Sequence, residues 1–216
     1  SVKNGGAGVY SNDSNPEFIS TSFSFYNSLK QGGALFANLS NCMLNDCVFT
    51  ENVSSNGGAI YSSANSTIDV NDCRFFQNDA TQNSSNILVG GGIVAFGVAY
   101  LNNTEFDSNI PEGAILEGLS TIDNCTFINN NKAGLITRNG TIRYCDFSFN
   151  KGGGLVTLPL LSPQLISNRV VFCSFVNNEN LTNEGGPYGF GGAINATACS
   201  IENCSFIENK TAGCGA

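Results

Sequence analysis

Six of the nine cysteines share one place in a short motif: Cys47, Cys73, Cys125, Cys145, Cys173 and Cys204 each stand two residues before a phenylalanine. Thr21 and Thr104 hold the same place before Phe23 and Phe106. Thiols in such number could build a disulfide framework, bind zinc or supply a nucleophile. Their spacing argues against all three. Equivalent side chains on stacked parallel strands lie about 4.8 Å apart, wider than the roughly 3.5–4.5 Å between Cβ atoms that a disulfide requires. Zinc ligands converge on a point, whereas these residues recur along a line, and the chain has no histidine to complete a Cys-His or Ser-His couple. The expected state is a column of buried thiols acting as small hydrophobes. Cys42 and Cys199, two residues ahead of Leu44 and Ile201, and Cys214, eight after Phe206, also fall in core registers, with Cys214 the one most open to pairing. No catalytic, cofactor-binding or metal-binding residue is expected.

Carboxylates are the other groups able to do chemistry, either in acid–base work on polysaccharides or in holding Ca²⁺. The pairs Asn45/Asp46, Asn71/Asp72, Asn102/Asn103 and Asp123/Asn124 form an outward polar stripe that Arg143/Tyr144 interrupts. A solvated corner is the expected role, with a weak ion or glycan groove as the alternative. The Asn-x-Ser/Thr sequon occurs twelve times, against about six expected from composition. Asn12, Asn38, Asn65, Asn83, Asn102, Asn124, Asn139, Asn180, Asn195 and Asn203 are expected at outward or loop positions able to carry N-glycans. Asn52 and Asn209 are expected to be too buried to modify.

What positions these groups is a repeat. From Ile122 to Leu155 one unit is written twice: Ile122, Cys125, Phe127 and Asn130 return twenty residues later as Ile142, Cys145, Phe147 and Asn150. Eight copies run through the chain, their phenylalanines Phe23, Phe49, Phe75, Phe106, Phe127, Phe147, Phe175 and Phe206 lying 26, 26, 31, 21, 20, 28 and 31 residues apart. Three residues after all but the first of these stands Asn52, Asn78, Asn109, Asn130, Asn150, Asn178 or Asn209. A Gly-rich block separates the copies, as in GGAL at Gly32, GGAI at Gly57, GGGI at Gly90, GAIL at Gly113 and GGAI at Gly191. Such a period marks a solenoid.

Strand describes these units better than helix. The apolar positions do not recur at 3.6, and the segments are full of Gly, Asn and β-branched residues. Cys and Phe in Cys-x-Phe point the same way, and the Gly block turns a further apolar residue inward. The asparagine falls where the chain must turn, and it tolerates the left-handed region. A leucine-rich repeat shares the grammar but places an apolar residue two positions after the Asn. Here those positions hold Ser54, Ala80, Pro111, Lys132, Gly152, Asn180 and Thr211. The expectation is an all-β parallel β-helix of about eight turns, one domain over residues 1–216. Asp79–Val89, Thr157–Asn168 and Glu179–Phe190 are expected to leave it as loops.

Composition narrows the function. Only 12% of residues are charged and the net charge is −8, so neither nucleic acid nor an anionic membrane is an expected partner. The longest apolar run, Ile87–Leu101, is broken by four glycines and is shorter than the roughly 20 residues of a membrane helix. Both ends read as open strands, which suggests a segment of a longer solenoid or identical chains stacked head to tail.

The paired hallmarks Gly-Gly-Ala-Ile (Gly57–Ile60, Gly191–Ile194) and Phe-x-x-Asn (Phe49–Asn52, Phe206–Asn209) closely resemble the repeats of the chlamydial polymorphic outer membrane proteins, over nearly the whole chain. The resemblance implies a right-handed parallel β-helix displayed at a cell surface and used for adhesion. No C-terminal membrane barrel of the kind that family implies is expected in this segment, and the density of cysteines and sequons looks eukaryotic, so similar repeats in protist surface proteins are an equal match. The expected function is therefore a non-catalytic, extracellular adhesin or a subunit of a glycosylated surface filament. Its expected partners are further copies of itself or a cell-surface receptor. A polysaccharide-binding or polysaccharide-degrading β-helix enzyme is the alternative.

Overall fold

A computed structural model describes residues 5–81, 89–159, 168–181 and 191–212. These form twenty-four strands and, among the described residues, no helix. Most of the three expected loops, together with Asn83 and Cys214, lies outside the described residues. Every ladder between strands is parallel, in a 14-stranded sheet, an 8-stranded sheet and a two-stranded pair. Each repeat adds one rung to these ladders, whatever the length of chain spent between rungs.

The three strands of a repeat follow from its sequence. The Gly block ends in a leading strand such as Leu35–Asn38 or Ile60–Ser62. An opening strand follows, such as Asn41–Asn45 or Thr67–Asn71. The phenylalanine then centres a three-residue strand such as Val48–Thr50 or Arg74–Phe76. In the two shortest repeats the leading and opening strands run on as one, Glu112–Asp123 and Leu135–Arg143. Fusion of those strands is how a twenty-residue unit stays in register with units of up to thirty-one.

Inward registers are continuous. Phe18, Leu44, Val70, Leu101, Ile122, Ile142, Val170 and Ile201 align rung on rung. Val9, Leu35, Ile60, Ile93, Ala114, Leu135, Leu155 and Ile194 do the same in the leading strands. The eight phenylalanines stack with ring centroids 4.7–5.2 Å apart and planes within 8° of parallel. That separation is the strand spacing of about 4.8 Å. It exceeds the roughly 3.5–4.0 Å of carbon contact, so parallel rings at this pitch must be slid past one another. Phe206 is the exception to the buried column: it stacks on Phe175 from one side only and remains 50% exposed.

The asparagines form a second ladder, from Asn52 to Asn209. Asn78 Nδ2 donates to Phe49 O at 2.9 Å and to Asn109 Oδ1 at 3.0 Å. Its Oδ1 accepts from the backbone N–H and the Nδ2 of Asn52 at 3.1 and 2.9 Å. All four hydrogen-bonding capacities of the amide are used, with no exposed surface from Asn52 through Asn178. A carboxylate lacks the donors, and a longer amide would overshoot the next rung.

The corner itself lies one residue earlier than the sequence suggests. Positive φ falls on Phe25, Glu51, Gln77, Ser108, Asn129, Phe149, Asn177 and Glu208, not on the ladder asparagines. Turning the chain there aims the next side chain back into the interior. A second series of corners, Ser20, Asp46, Asp72, Asn103, Asn124, Tyr144, Phe172 and Asn203, precedes the Cys/Thr register. Corner amides stay bonded to the neighbouring rung, as in Asp46 N to Asn71 O at 3.0 Å and Glu51 N to Phe76 O at 3.1 Å.

Truncating one amide orphans the groups on the rungs to either side. Asn130→Ala is therefore expected to cost at least about 3 kcal/mol in urea unfolding, and Asp146→Ala, on the exposed side of the next rung, less than about 0.5 kcal/mol. Equal losses from the two would remove the ladder as the source of stability.

Candidate functional site

The Cys/Thr register does its work inside. Cys73 Sγ donates to Asn71 O at 3.1 Å, and its sulfur accepts the backbone N–H of Cys47 at 3.3 Å. Thr104 Oγ1 repeats the arrangement, donating to Asn102 O at 2.9 Å and accepting from Cys73 N at 3.4 Å. Hydroxyl and thiol are interchangeable because the site needs one short side chain that both donates and accepts. All eight described cysteines are free. Burial pushes the Cys73 thiol up to about 12 and that of Cys199 to about 11. Burial also raises Cys42. The hydrogen bond with Cys125 raises Cys145, and that with Cys145, followed by burial, raises Cys173. Little thiolate is available for attack or metal binding. Cys199 and Cys204 are only half-buried, because the rung that holds them is less covered than those before it.

The outward stripe is a ladder too. Ser20 Oγ donates to Asp46 Oδ2 at 2.8 Å, Asn71 Nδ2 to Asn45 Oδ1 at 3.2 Å, and Asn124 Nδ2 to Asn103 Oδ1 at 3.0 Å. Asn103 Nδ2 donates to Asp72 Oδ1. Arg143 and Tyr144 extend the stripe rather than interrupt it: Arg143 pairs with Asp123 at 2.8 Å, and Tyr144 stacks on Phe172 at 5.3 Å. Neighbours take up these polar groups, and among the described residues no three His, Cys, Asp or Glu side chains gather as a metal site.

Of the sequons, Asn12, Asn65, Asn102, Asn124 and Asn203 are exposed, while Asn38, Asn139 and Asn195 are half-buried. Asn180 is buried, contrary to expectation, because its short strand Glu179–Asn180 pairs with Lys210–Thr211. Asn209 is half-buried rather than sealed, since it closes the amide ladder with Nδ2 on Phe175 O at 2.8 Å.

Sequence reasoning missed an outer apolar register. Tyr10, Phe36, Tyr61, Val94, Ile115, Ile136 and Val156 each follow an inward leading-strand residue. Tyr10, Phe36 and Tyr61 stack at 5.3–5.4 Å. The aliphatic members join Ala133 and Leu158 in a second buried cluster. The signal is an apolar residue directly after the inward one of every Gly block but the last, where Asn195 follows Ile194.

Two further features stand apart from the ladders. Glu112 is 2% exposed, its Oε2 has no hydrogen-bond partner among the described residues, and burial raises its carboxyl to about 7 against the opposing pull of Lys132. The second is an open cleft of about 430 Å³ at the corner of the later repeats, lined by Asn129, Phe149, Lys151, Asn177, Glu179 and Lys210. One wall is the corner series Asn129, Phe149 and Asn177. The other is the residue after each ladder asparagine, whose amides bond Asn130 O, Asn150 O and Asn178 O in succession. Phe149 holds φ at 56° with half of its surface exposed. That conformation costs a residue other than Gly or Asn about 1–2 kcal/mol.

Compared with protein-family models, curated proteins and solved structures, the chain matches none.

Two outcomes follow from the buried titratable groups. Ellman's reagent on the native protein at pH 8 should find at most three fast thiols, Cys199, Cys204 and Cys214, and all nine after denaturation; a denatured count below nine would mean disulfides. For Glu112, the folded carboxyl holds its proton more tightly than the unfolded one, at about 7 against 4.5. Folding therefore takes up protons between those values, and stability falls as pH rises through that window. Glu112→Gln should raise stability at pH 8 by up to about 3 kcal/mol and add little below pH 4. A gain of the same size at both pH values would sink the assignment.

Proposed function

We propose that the chain coils as a right-handed parallel β-helix of about eight turns and acts as a non-catalytic, extracellular display scaffold, either an adhesin or a subunit of a glycosylated surface filament. One observation carries this reading. The phenylalanine register holds one residue through every repeat, while the outward positions on the same strands change from rung to rung. A stack stabilised from within in this way can vary its surface without losing its fold.

The resemblance to chlamydial and protist surface repeats supports a place at the cell surface, as do the sequons exposed on the outer corners. Free thiols are most common in reducing compartments. Here the raised thiols are also buried, and neither oxidant nor disulfide partner reaches a buried, protonated thiol readily. Further copies of the chain or a receptor on a host cell are the partners proposed. A next rung, whether from the same chain or another, would cover the open face of Phe206.

The reading is tested by attachment of the purified, fluorescently labelled protein to cultured cells, by negative-stain imaging, and by incubation with neutral and uronic polysaccharides. Saturable attachment or regular filaments, with no release of sugar fragments, is the expected result. Fragment release that disappears in Asp72→Asn or Asp123→Asn would establish the polysaccharide-degrading alternative instead.

A further inference from the structure

The cleft at Phe149 combines features that the scaffold does not need. Its neighbours in the corner series, Asn129 and Asn177, are of the residue type that tolerates positive φ, whereas Phe149 is not. No ring stacks on Phe149 among the described residues, unlike Tyr144 and Phe172, which cover each other. A bulky side chain held in a strained conformation, half exposed and without a stacked ring among the described residues, recovers less from the fold than Tyr144 and Phe172 do.

The charge around it is equally distinctive. All four arginines are paired with carboxylates: Arg74 with Glu105 and Asp107, Arg138 with Glu117, Arg143 with Asp123, and Arg169 with Glu202. Two of the five lysines line this one cleft. Lys210 is shared with Glu179 at 3.6 Å, across an exposed pair of small energetic weight. Lys151 has no carboxylate partner among the described residues and stands two positions from Phe149 on the same rung. On a chain of net charge −8, the cleft carries two ammonium groups against one carboxylate.

We infer that this cleft binds an acidic sugar, a pyranose bearing a carboxylate, as one unit of a glycan chain. The exposed ring of Phe149 covers the apolar face of the pyranose. Lys151, with Lys210 behind it, meets the carboxylate, and the amide of Asn177 and the Oδ1 of Asn129, whose Nδ2 donates to Asp107 Oδ1 at 3.4 Å, reach ring hydroxyls. A volume of about 430 Å³ lies within the roughly 300–1,000 Å³ range of small-ligand sites. The inference deepens the adhesive reading and rests on it, by naming the chemistry of the receptor.

The test is isothermal titration of the full chain with trigalacturonate and with the neutral galactose trimer of equal length. Trigalacturonate should bind at least tenfold more tightly than the neutral trimer, weaken as salt rises, and lose at least tenfold in Lys151→Gln and in Phe149→Asn. Phe149→Asn installs the residue its own corner series already uses, so it should unfold at a temperature no lower than wild type; a purely structural role for Phe149 would leave binding unmoved. No binding by wild type, equal binding of both trimers, or unchanged binding in the two variants would overturn the cleft assignment. Cell attachment separates the two readings. Attachment without trigalacturonate binding removes only the cleft, and trigalacturonate binding without attachment removes only the adhesin.

Discussion

The buried asparagine amide is the constraint from which the rest of the architecture follows. A buried polar group left unpaired costs about 1–3 kcal/mol, and each ladder amide has four capacities to satisfy. Only an identical amide one rung away, at the strand spacing, satisfies them together with the phenylalanine carbonyl. Register is therefore set by hydrogen bonds that fail together if a repeat slips by one residue, as well as by non-directional apolar burial. The phenylalanine stack, three residues back across the corner, repeats at the same interval and cannot slip without the amides. Variation in repeat length, from twenty to thirty-one residues, is pushed into the connections between strands, where no ladder constrains it.

This also explains what could be read from sequence. The Phe, Asn and Cys periods were legible because each position is chosen for contact with its own copy, and such positions repeat in residue type. The corner lies one residue earlier than the residue types suggest because the turning residue is on the outer side, where residues as different as Glu51, Gln77, Ser108 and Phe149 all occur. Nothing in their types marks the turn; it is imposed by the inward residue that follows. The outer register escaped for a related reason: Tyr10, Phe36 and Val94 follow blocks already explained by their glycines, and their burial depends on what lies over them. Asn180 and Phe206 show the same limit. Their exposure is set by which other strand lies beside them, Lys210–Thr211 for the one and Phe175 alone for the other.

The thiol column shows how little of a residue's chemistry survives in a ladder. Each Cys/Thr position gives a hydrogen to a carbonyl two residues back, and Cys73, Thr104, Cys145 and Cys204 also receive one from the neighbouring rung. That requirement excludes Val and Ala, which fit by volume, and admits Ser-like groups along with Cys. Burial raises Cys73, and the side-chain hydrogen bond with Cys125 raises Cys145, out of the reactive range against the opposing pull of the backbone bonds. The eight described cysteines are free thiols, six of them buried in the packing of the inner registers.

Corners are where local preference and global structure disagree. Sixteen positive-φ corners in two series punctuate the repeats, and most are filled by Asn, Asp, Ser or charged residues. Asn and Asp tolerate the conformation. Four of the sixteen are aromatic: Phe25, Tyr144, Phe149 and Phe172. In the pair Tyr144 and Phe172, stacking at 5.3 Å offsets part of the backbone cost. Phe149, like Phe25, has no ring stacked on it among the described residues, but beside Phe149 alone of the two lies the cleft, with a lysine that has no carboxylate partner among the described residues. Because the interior ladders hold register without help from the corners, these positions are free to depart from the locally preferred residue. A departure that brings no stacked ring, set in a cleft of opposite charge to the chain, is where selection for binding rather than for folding would leave its mark.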